Sequence, residues 1–304
     1  MPTRPLFRTV ETAAAITDSV LVSFSGGKDS VATLDLCVKH FRHVEGFFMY
    51  YVKGLSFQEQ ICRYYEDRYG LPIHRVPHFE LSQFLRYGLY RPTDFSVPVV
   101  SVKDVYNYLR LNTDIWWIAA GERIADSVWR RAIIKSSGTI DEKRGRIYPV
   151  AEWRKEDVVA YIRQNKLKVG VESRKLGFSF GSLQAREVIP VKRHFPADFA
   201  RIRAWFPFVE AGIVHHQIKE ERRGQAQDFA RGGDGVGHEM GVAGLPAVGA
   251  EAHAVGRILD HVEKRVGSRG KTGAGGQNEA VARPLGLVRF ETECTAKRHV
   301  SCPA

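Results

Sequence analysis

The chain is poor in cysteine and methionine, with four and three residues respectively, and it contains no long apolar run. No stretch reaches the roughly 18 consecutive apolar residues that a membrane-spanning helix needs. Met1-Pro2-Thr3-Arg4 leads into a mixed polar segment without the apolar centre of a secretion signal, so a cytoplasmic protein with no membrane partner is expected. Cys37, Cys62, Cys294 and Cys302 stand far apart, and no two form a CxxC pair. That spacing offers no disulfide framework, and it predicts neither a structural zinc nor an iron–sulfur cluster. The six histidines of residues 211–304 show no HxxxH or HExxH spacing, so no metal site is expected from them.

What is present is a chain of 304 residues, 44% hydrophobic, long enough to bury at least one full core. Its net charge is +11, and residues 1–210 hold most of it, with 32 basic against 23 acidic side chains. Such a field draws phosphates, whether of a nucleotide or of a nucleic acid. Glycine marks a change of character near residue 210, because 12 glycines fall before it and 16 in the much shorter stretch after it. The expected organisation is a nucleotide-binding domain over 1–210 and a Gly/Ala/Arg/His-rich, weakly packed extension over 211–304. Within that extension only Val255, Ile258, Leu259, Val262 and Val266 recur at helical spacing.

The first part alternates strand and helix patterns. Val20 to Phe24 reads as a short apolar strand, and Val31, Leu34, Cys37, Val38 and Phe41 then follow a helical period. Val44 to Tyr51 reads as a strand, Ser56 to Tyr69 as a helix closed by Gly70, and Ile73 to Phe79 as a third strand. Leu81 to Tyr87 and Val102 to Leu111 read as helices, and Ile115 to Ala120 as a buried strand with Trp116 and Trp117 in the core. The alternation predicts an α/β fold: a doubly wound, mainly parallel sheet with helices on both faces. Ligands of such sheets bind beyond the carboxyl ends of the strands.

Directly after the first strand comes Ser25-Gly26-Gly27-Lys28-Asp29-Ser30, opening a helix. Two glycines permit a tight turn that exposes backbone N–H groups, and the helix N-terminus adds partial positive charge. Ser25, Ser30 and Lys28 supply further donors, so the segment is an expected anion cradle. It is not a GxxxxGKS/T loop, whose glycines have four residues between them where Gly26 and Gly27 have none. Asp29 would orient Mg²⁺ or cap the helix. After the strand ending at Ala120, Gly121 opens a segment in which Arg123, Ser127 and Arg130 are expected on one helical face, with Arg123 placed to fork a phosphate. Asp157 and Trp153 are expected to start and pack a helix, and Cys37 and Cys62 to lie in the core. Arg130, Arg131, Lys135, Lys143, Arg144 and Arg146 leave a polyanionic partner open.

Ser25 to Ser30 resembles the PP-loop signature of the adenine nucleotide alpha-hydrolase-like superfamily, with a Rossmann-like fold. Gly121 to Arg130 resembles the GxRxxES segment of its phosphoadenosine phosphosulfate (PAPS) reductase family, with Asp126 in place of Glu. Tyr148 to Val158 resembles that family's Pro-(Ile/Leu)-x-x-Trp-x-x-x-Asp-Val segment, and the likeness spans about 15–210. The resemblance implies an enzyme that cleaves ATP, with Mg²⁺, between the α and β phosphates to activate an acceptor. Lys28, Asp29 and Arg123 would be catalytic, and Ser25, Gly26, Gly27, Ser30, Gly121, Ser127 and Arg130 would bind the nucleotide. It equally implies a thiol-dependent reductase of PAPS that yields sulfite and is regenerated by thioredoxin or glutaredoxin. The thiol would be Cys294, although Glu293-Cys294-Thr295-Ala296 lacks the Gly and His of the family's Glu-Cys-Gly segment. Near Gly177 to Ser182, Ser182 stands where family members often carry cysteine. A module that binds a nucleotide or nucleic acid without turnover is the third reading, and the acceptor is not named by any residue.

Overall fold

The computed structural model describes residues 6–231. Its strands are β1 (Ser19–Ser23), β2 (His43–Tyr50), β3 (Ile73–Pro77), β4 (Ile118–Ala120), β5 (Ile140–Asp141) and β6 (Arg146–Ile147). The helices of the first half are α1 (Arg8–Ile16), α2 (Lys28–His40), α3 (Ser56–Tyr69), α4 (Phe79–Tyr87) and α5 (Val102–Thr113). Those of the second half are α6 (Val128–Ser137), α7 (Lys155–Gln164), α8 (Val171–Leu176), α9 (Ala185–His194), α10 (Pro196–Trp205) and α11 (Val209–Arg231).

The sheet runs β3-β2-β1-β4-β6-β5, and all neighbours are parallel except the β5–β6 pair. The chain therefore winds from β1 outward to β3 and returns to the other side of β1 with β4. This reversal leaves a crevice beyond the ends of β1 and β4, where the first strand runs into the glycine loop. Alternation along β1 explains the two covered faces. Val20 and Val22 pack with residues of α1, α2, α3 and α7, whereas Leu21 packs with Val105 and Leu109 of α5 on the opposite face. The expected doubly wound α/β sheet is the fold observed.

A separate apolar layer joins the C-terminal helices to α3 and α4: Phe57 and Leu81 meet Val188, Val191, Ile202, Phe206, Val209 and Ile213. The layer is locked by Asp198, whose carboxylate accepts from the Ser56 backbone N–H at 2.7 Å and the Ser56 hydroxyl at 2.6 Å. It thus caps α3 across 142 residues of sequence, at an N-terminus whose own N-cap, Leu55, has no side-chain acceptor. The change of character expected at residue 210 falls inside α11, and Ile213, beyond it, is buried. Residues 232–304, including Cys294, Cys302 and the helical pattern at 255–266, lie outside the described residues.

Two local expectations change. Only residues 118–120 of the Ile115 to Ala120 run form a strand, and Trp116 is half exposed, its ring stacked under the Arg110 guanidinium at 3.9 Å. The segment from Gly121 to Ser127 is a loop and not a helix turn, because the Ser127 hydroxyl accepts from the Arg130 N–H at 3.1 Å and caps α6 there. No described helix is long and apolar enough to cross a membrane.

Candidate nucleotide site

The loop after β1 is closed by its own hydroxyls. Ser30 Oγ accepts from the Ser25 N–H and lies 3.1 Å from Ser25 Oγ, while its proton goes to the Gly27 carbonyl at 3.0 Å. Gly26 holds φ +72°, and a Cβ there would come within 2.9 Å of Ile61, so the turn needs glycine on two counts. At the end of β4, Gly121 lets the strand approach the first turn of α2 so closely that a Cβ would lie 2.8 Å from the Asp29 carbonyl carbon. Gly26 serves the turn and the Ile61 side chain, whereas at Gly121 backbone meets backbone, which brings the two strand ends around one opening.

A cavity of about 540 Å³ occupies that opening. Of the expected site residues, Ser25, Gly27, Lys28, Asp29, Ser30, Gly121 and Arg130 line it, and Gly26 shapes the turn behind it. Arg123 and Ser127 do not line it. Arg123 is buried, its Nη2 donating to Asp126 Oδ1 at 2.6 Å and its Nε lying 3.0 Å from Asp29 Oδ1, within ion-pair distance but angled off a hydrogen bond. Arg130 reaches the same Asp126 at 3.3 Å. The aspartate that replaces the family's glutamate therefore gathers both arginines, and Arg123 braces Asp29 from behind the cavity wall. Lys28, one-third exposed, rests on the other oxygen of Asp29. Asp29 thus lies between these two cations, and α2 is capped at Gly27 without any side chain. Among the described residues no group of three His, Cys, Asp or Glu side chains could hold a metal ion.

The far wall comes from residues that sequence spacing did not single out as a site: Val169, Ser173, Phe178 and Ser179. They are carried by the loop before α8, by α8 and by the turn after it. The Gly170 N–H anchors this segment to the Gly26 carbonyl at 3.1 Å. Beside that anchor lies Glu172, 1% exposed, with Oε2 lacking any hydrogen-bond partner and Oε1 3.5 Å from where a Gly26 Cβ would stand. Burial raises its carboxyl from the ordinary range to about 7. No local pattern marks Glu172, since it becomes special only when α8 packs under the loop.

Cys37 and Cys62 are buried in the core as expected; burial pushes the Cys62 thiol up to about 12 and that of Cys37 further. Neither is a ready thiolate or cluster ligand. Trp153 is buried, its indole N–H donating to the Leu6 carbonyl at 2.7 Å, and Asp157 accepts from the Arg154 N–H at 2.7 Å at the start of α7, so both serve structure as expected.

Residues 19–171 match the family model of the phosphoadenosine phosphosulfate reductase domain. No curated protein gives a significant match. Among solved structures, the U34-tRNA thiolase NcsA from Methanococcus maripaludis, solved with its 4Fe–4S cluster, is similar at 15% identity and TM-score 0.36, over 67% of this chain and 79% of that one. The PAPS reductase from Candida auris, in a phosphate complex, is similar at 18% identity and TM-score 0.40, over 58% of this chain and 86% of that one. The thiolase corrects the expectation that an iron–sulfur cluster is excluded. Cluster ligands can be gathered from distant positions by the fold, so the lack of a CxxC pair does not decide the matter.

Proposed function

Because the chain belongs to the phosphoadenosine phosphosulfate reductase family, whose domain it matches over residues 19–171, we propose that it is an enzyme binding an adenine nucleotide in the cavity beyond β1 and β4. The favoured reaction is cleavage of ATP between the α and β phosphates to activate an acceptor. The observation that carries this reading is the cradle itself. Glycine turn, α2 N-terminus, Ser25 and Ser30 hydroxyls and Lys28 ammonium all border one cavity.

Each part has a role that its chemistry supports. The N–H groups at the start of α2 favour a phosphate chain because they lack helical partners and carry the positive end of the helix dipole. Lys28 exchanges Asp29 for a phosphate oxygen and neutralises the charge that gathers on the pyrophosphate as the α–β bond breaks. Asp29, braced by Arg123, holds that ammonium at the cavity edge until the nucleotide arrives. Arg130, half exposed at the rim, is the guanidinium placed to exchange Asp126 for an outer phosphate or the acceptor. When the acceptor oxygen bonds to the α phosphorus, the oxygen bridging to the β phosphorus leaves with its electron pair as pyrophosphate. Nothing is oxidised or reduced in this step.

Family membership itself favours a second reading, reduction of PAPS to sulfite by a thiolate that thioredoxin or glutaredoxin restores. Its thiol would be Cys294. The two readings separate in a product assay with ATP and Mg²⁺ in one arm and PAPS with reduced thioredoxin in the other. Pyrophosphate and AMP, lost in Lys28→Ala and kept in Cys294→Ser, are expected. Sulfite lost in Cys294→Ser would overturn the ATP reading in favour of the reductase, and silence in both arms would leave only binding.

A further inference from the structure

Glu172 is a buried acid with nothing beside it to hold its charge. It lies on α8 at 1% exposure, between Val171 and Ser173, and its Oε2 has no hydrogen-bond partner. Its own backbone N–H meets the carboxylate, and among the described residues no Lys, Arg or His pairs with it. Two glycines frame the group. A Cβ at Gly170 would collide with the carboxylate, and Oε1 stands 3.5 Å from where a Gly26 Cβ would be. The same two glycines are tied by the bond from the Gly170 N–H to the Gly26 carbonyl, so the carboxylate rests on the strap that backs the phosphate loop, outside the cavity lining. A charge at that place acts on the cavity through the Gly26 backbone, in a buried setting that screens it poorly.

The groups around Glu172 leave it the one to titrate near neutral pH. From α3 come Ile61 and the Cys62 thiol, which burial pushes up to about 12, and Arg75 beside that thiol is paired with Glu59 and Glu66. The loop side presents Lys28 and, behind it, Arg123, both on Asp29. Helix α8 adds Ser173, whose hydroxyl lies 3.2 Å from that of Ser179, and the exposed Arg174 and Lys175. None of these is a histidine, the side chain that ordinarily titrates near neutrality, and no described histidine lines the cavity.

We propose that Glu172 is a positioning residue that couples anion binding at the glycine loop to proton uptake: it acts through Gly26, and a phosphate chain enters the cavity as Glu172 takes a proton from solvent. That the anion is a nucleotide rests on the reading given under Proposed function, whereas the coupling holds for any polyphosphate on the loop. No bond to the anion forms or breaks in this step. Ionised Glu172 repels the arriving phosphates and neutral Glu172 does not, so the bound state favours the protonated form. Its carboxyl, at about 7 before binding, rises further when the anion is in place. Affinity is therefore greatest below the carboxyl's range and falls as pH rises through it. Two unit charges about 10 Å apart at an effective dielectric near 20 change an affinity roughly 15-fold.

The test is titration calorimetry of the full chain with ATP and Mg²⁺, and separately with inorganic pyrophosphate, at about pH 6.5 and about pH 9, beside Glu172→Gln. The variant keeps the shape of the neutral form at every pH. It is expected to bind within about 2-fold of the parent at the lower pH and roughly 15-fold more tightly than the parent at the higher one. At about pH 7.5, runs in two buffers of unlike ionisation enthalpy are expected to show the parent taking up about half a proton more than the variant. Protons carried by the anion itself are common to both proteins and cancel in that difference. Equal affinities at the higher pH, or the same change at both, would show a carboxyl that serves structure alone and would overturn the proposal. If Glu172→Gln does not fold, Glu172→Met, apolar and of similar length, serves the same comparison. Binding of pyrophosphate but not of ATP, with the difference between parent and variant intact, upholds the coupling and sinks the nucleotide reading. ATP binding without that difference sinks the coupling alone, and failure of both anions to bind overturns both.

Discussion

Glu172 is a buried carboxyl whose surroundings oppose its charge. Its carboxyl is raised to about 7 by burial, so between about pH 4.5 and 7 the folded chain holds a proton that the unfolded chain has released. Stability is therefore expected to fall as pH rises through that window, by about 3 kcal/mol in all, with the full cost present above pH 7. Urea denaturation at pH 5 and pH 8 measures it, and Glu172→Gln is expected to flatten the difference. A profile as steep in the variant would show that another group titrates. At Gly26, substitution by alanine forces a side chain into a left-handed turn and against Ile61. A loss of about 1–2 kcal/mol is expected from the turn alone, together with loss of ATP binding by calorimetry, because the exposed N–H groups change direction.

At the scale of elements, α2 and α7 are joined through one buried carboxylate. Asp35 accepts from Tyr69 at 2.6 Å and Tyr161 at 2.5 Å and pairs with Lys39 at 2.7 Å. Burial raises its carboxyl, but the hydrogen bonds from Lys39, Tyr161 and Tyr69 outweigh this and hold it below the ordinary aspartate value. Its contribution is present above the unfolded pKa near 4 and lost as pH falls below it. Asp35→Ala leaves two buried hydroxyls without their acceptor, and a loss of about 2–4 kcal/mol by denaturant titration is expected. Asp35→Asn keeps an acceptor and is expected to lose less. The start of α11 tests the layer that ties the C-terminal helices to α3. Ile213→Ala is expected to cost about 2 kcal/mol or more, and an unchanged midpoint would show that the packed part of the chain ends near residue 210.

For the whole molecule, a nucleotide that binds only the folded chain stabilises it by mass action. At about 100 times its dissociation constant the gain is about 2.7 kcal/mol, a rise of roughly 5–10 °C in Tm for a unit of this size. A scan with ATP and Mg²⁺ is expected to show that shift, and Lys28→Ala to abolish it. What the sequence determined by itself is local or periodic. Short apolar runs placed β1, β2 and β3 within two residues, the 3.6-residue period placed α2 and α3, and Ser25 to Ser30 marked the cradle because a glycine turn between strand and helix is written in consecutive residues. Tertiary structure alone decided what depends on neighbours distant in sequence. Trp116 leaves the core because only three residues of its run find a partner strand, and Arg123 turns from the cavity because Asp29 and Asp126 converge on it. Phe178 and Ser179 become cavity wall, and Glu172 an isolated carboxyl, only when the segment around α8 folds beneath a loop more than 140 residues earlier. Burial and charge pairing are properties of contacts, and contacts between distant segments carry no periodic signature along the chain.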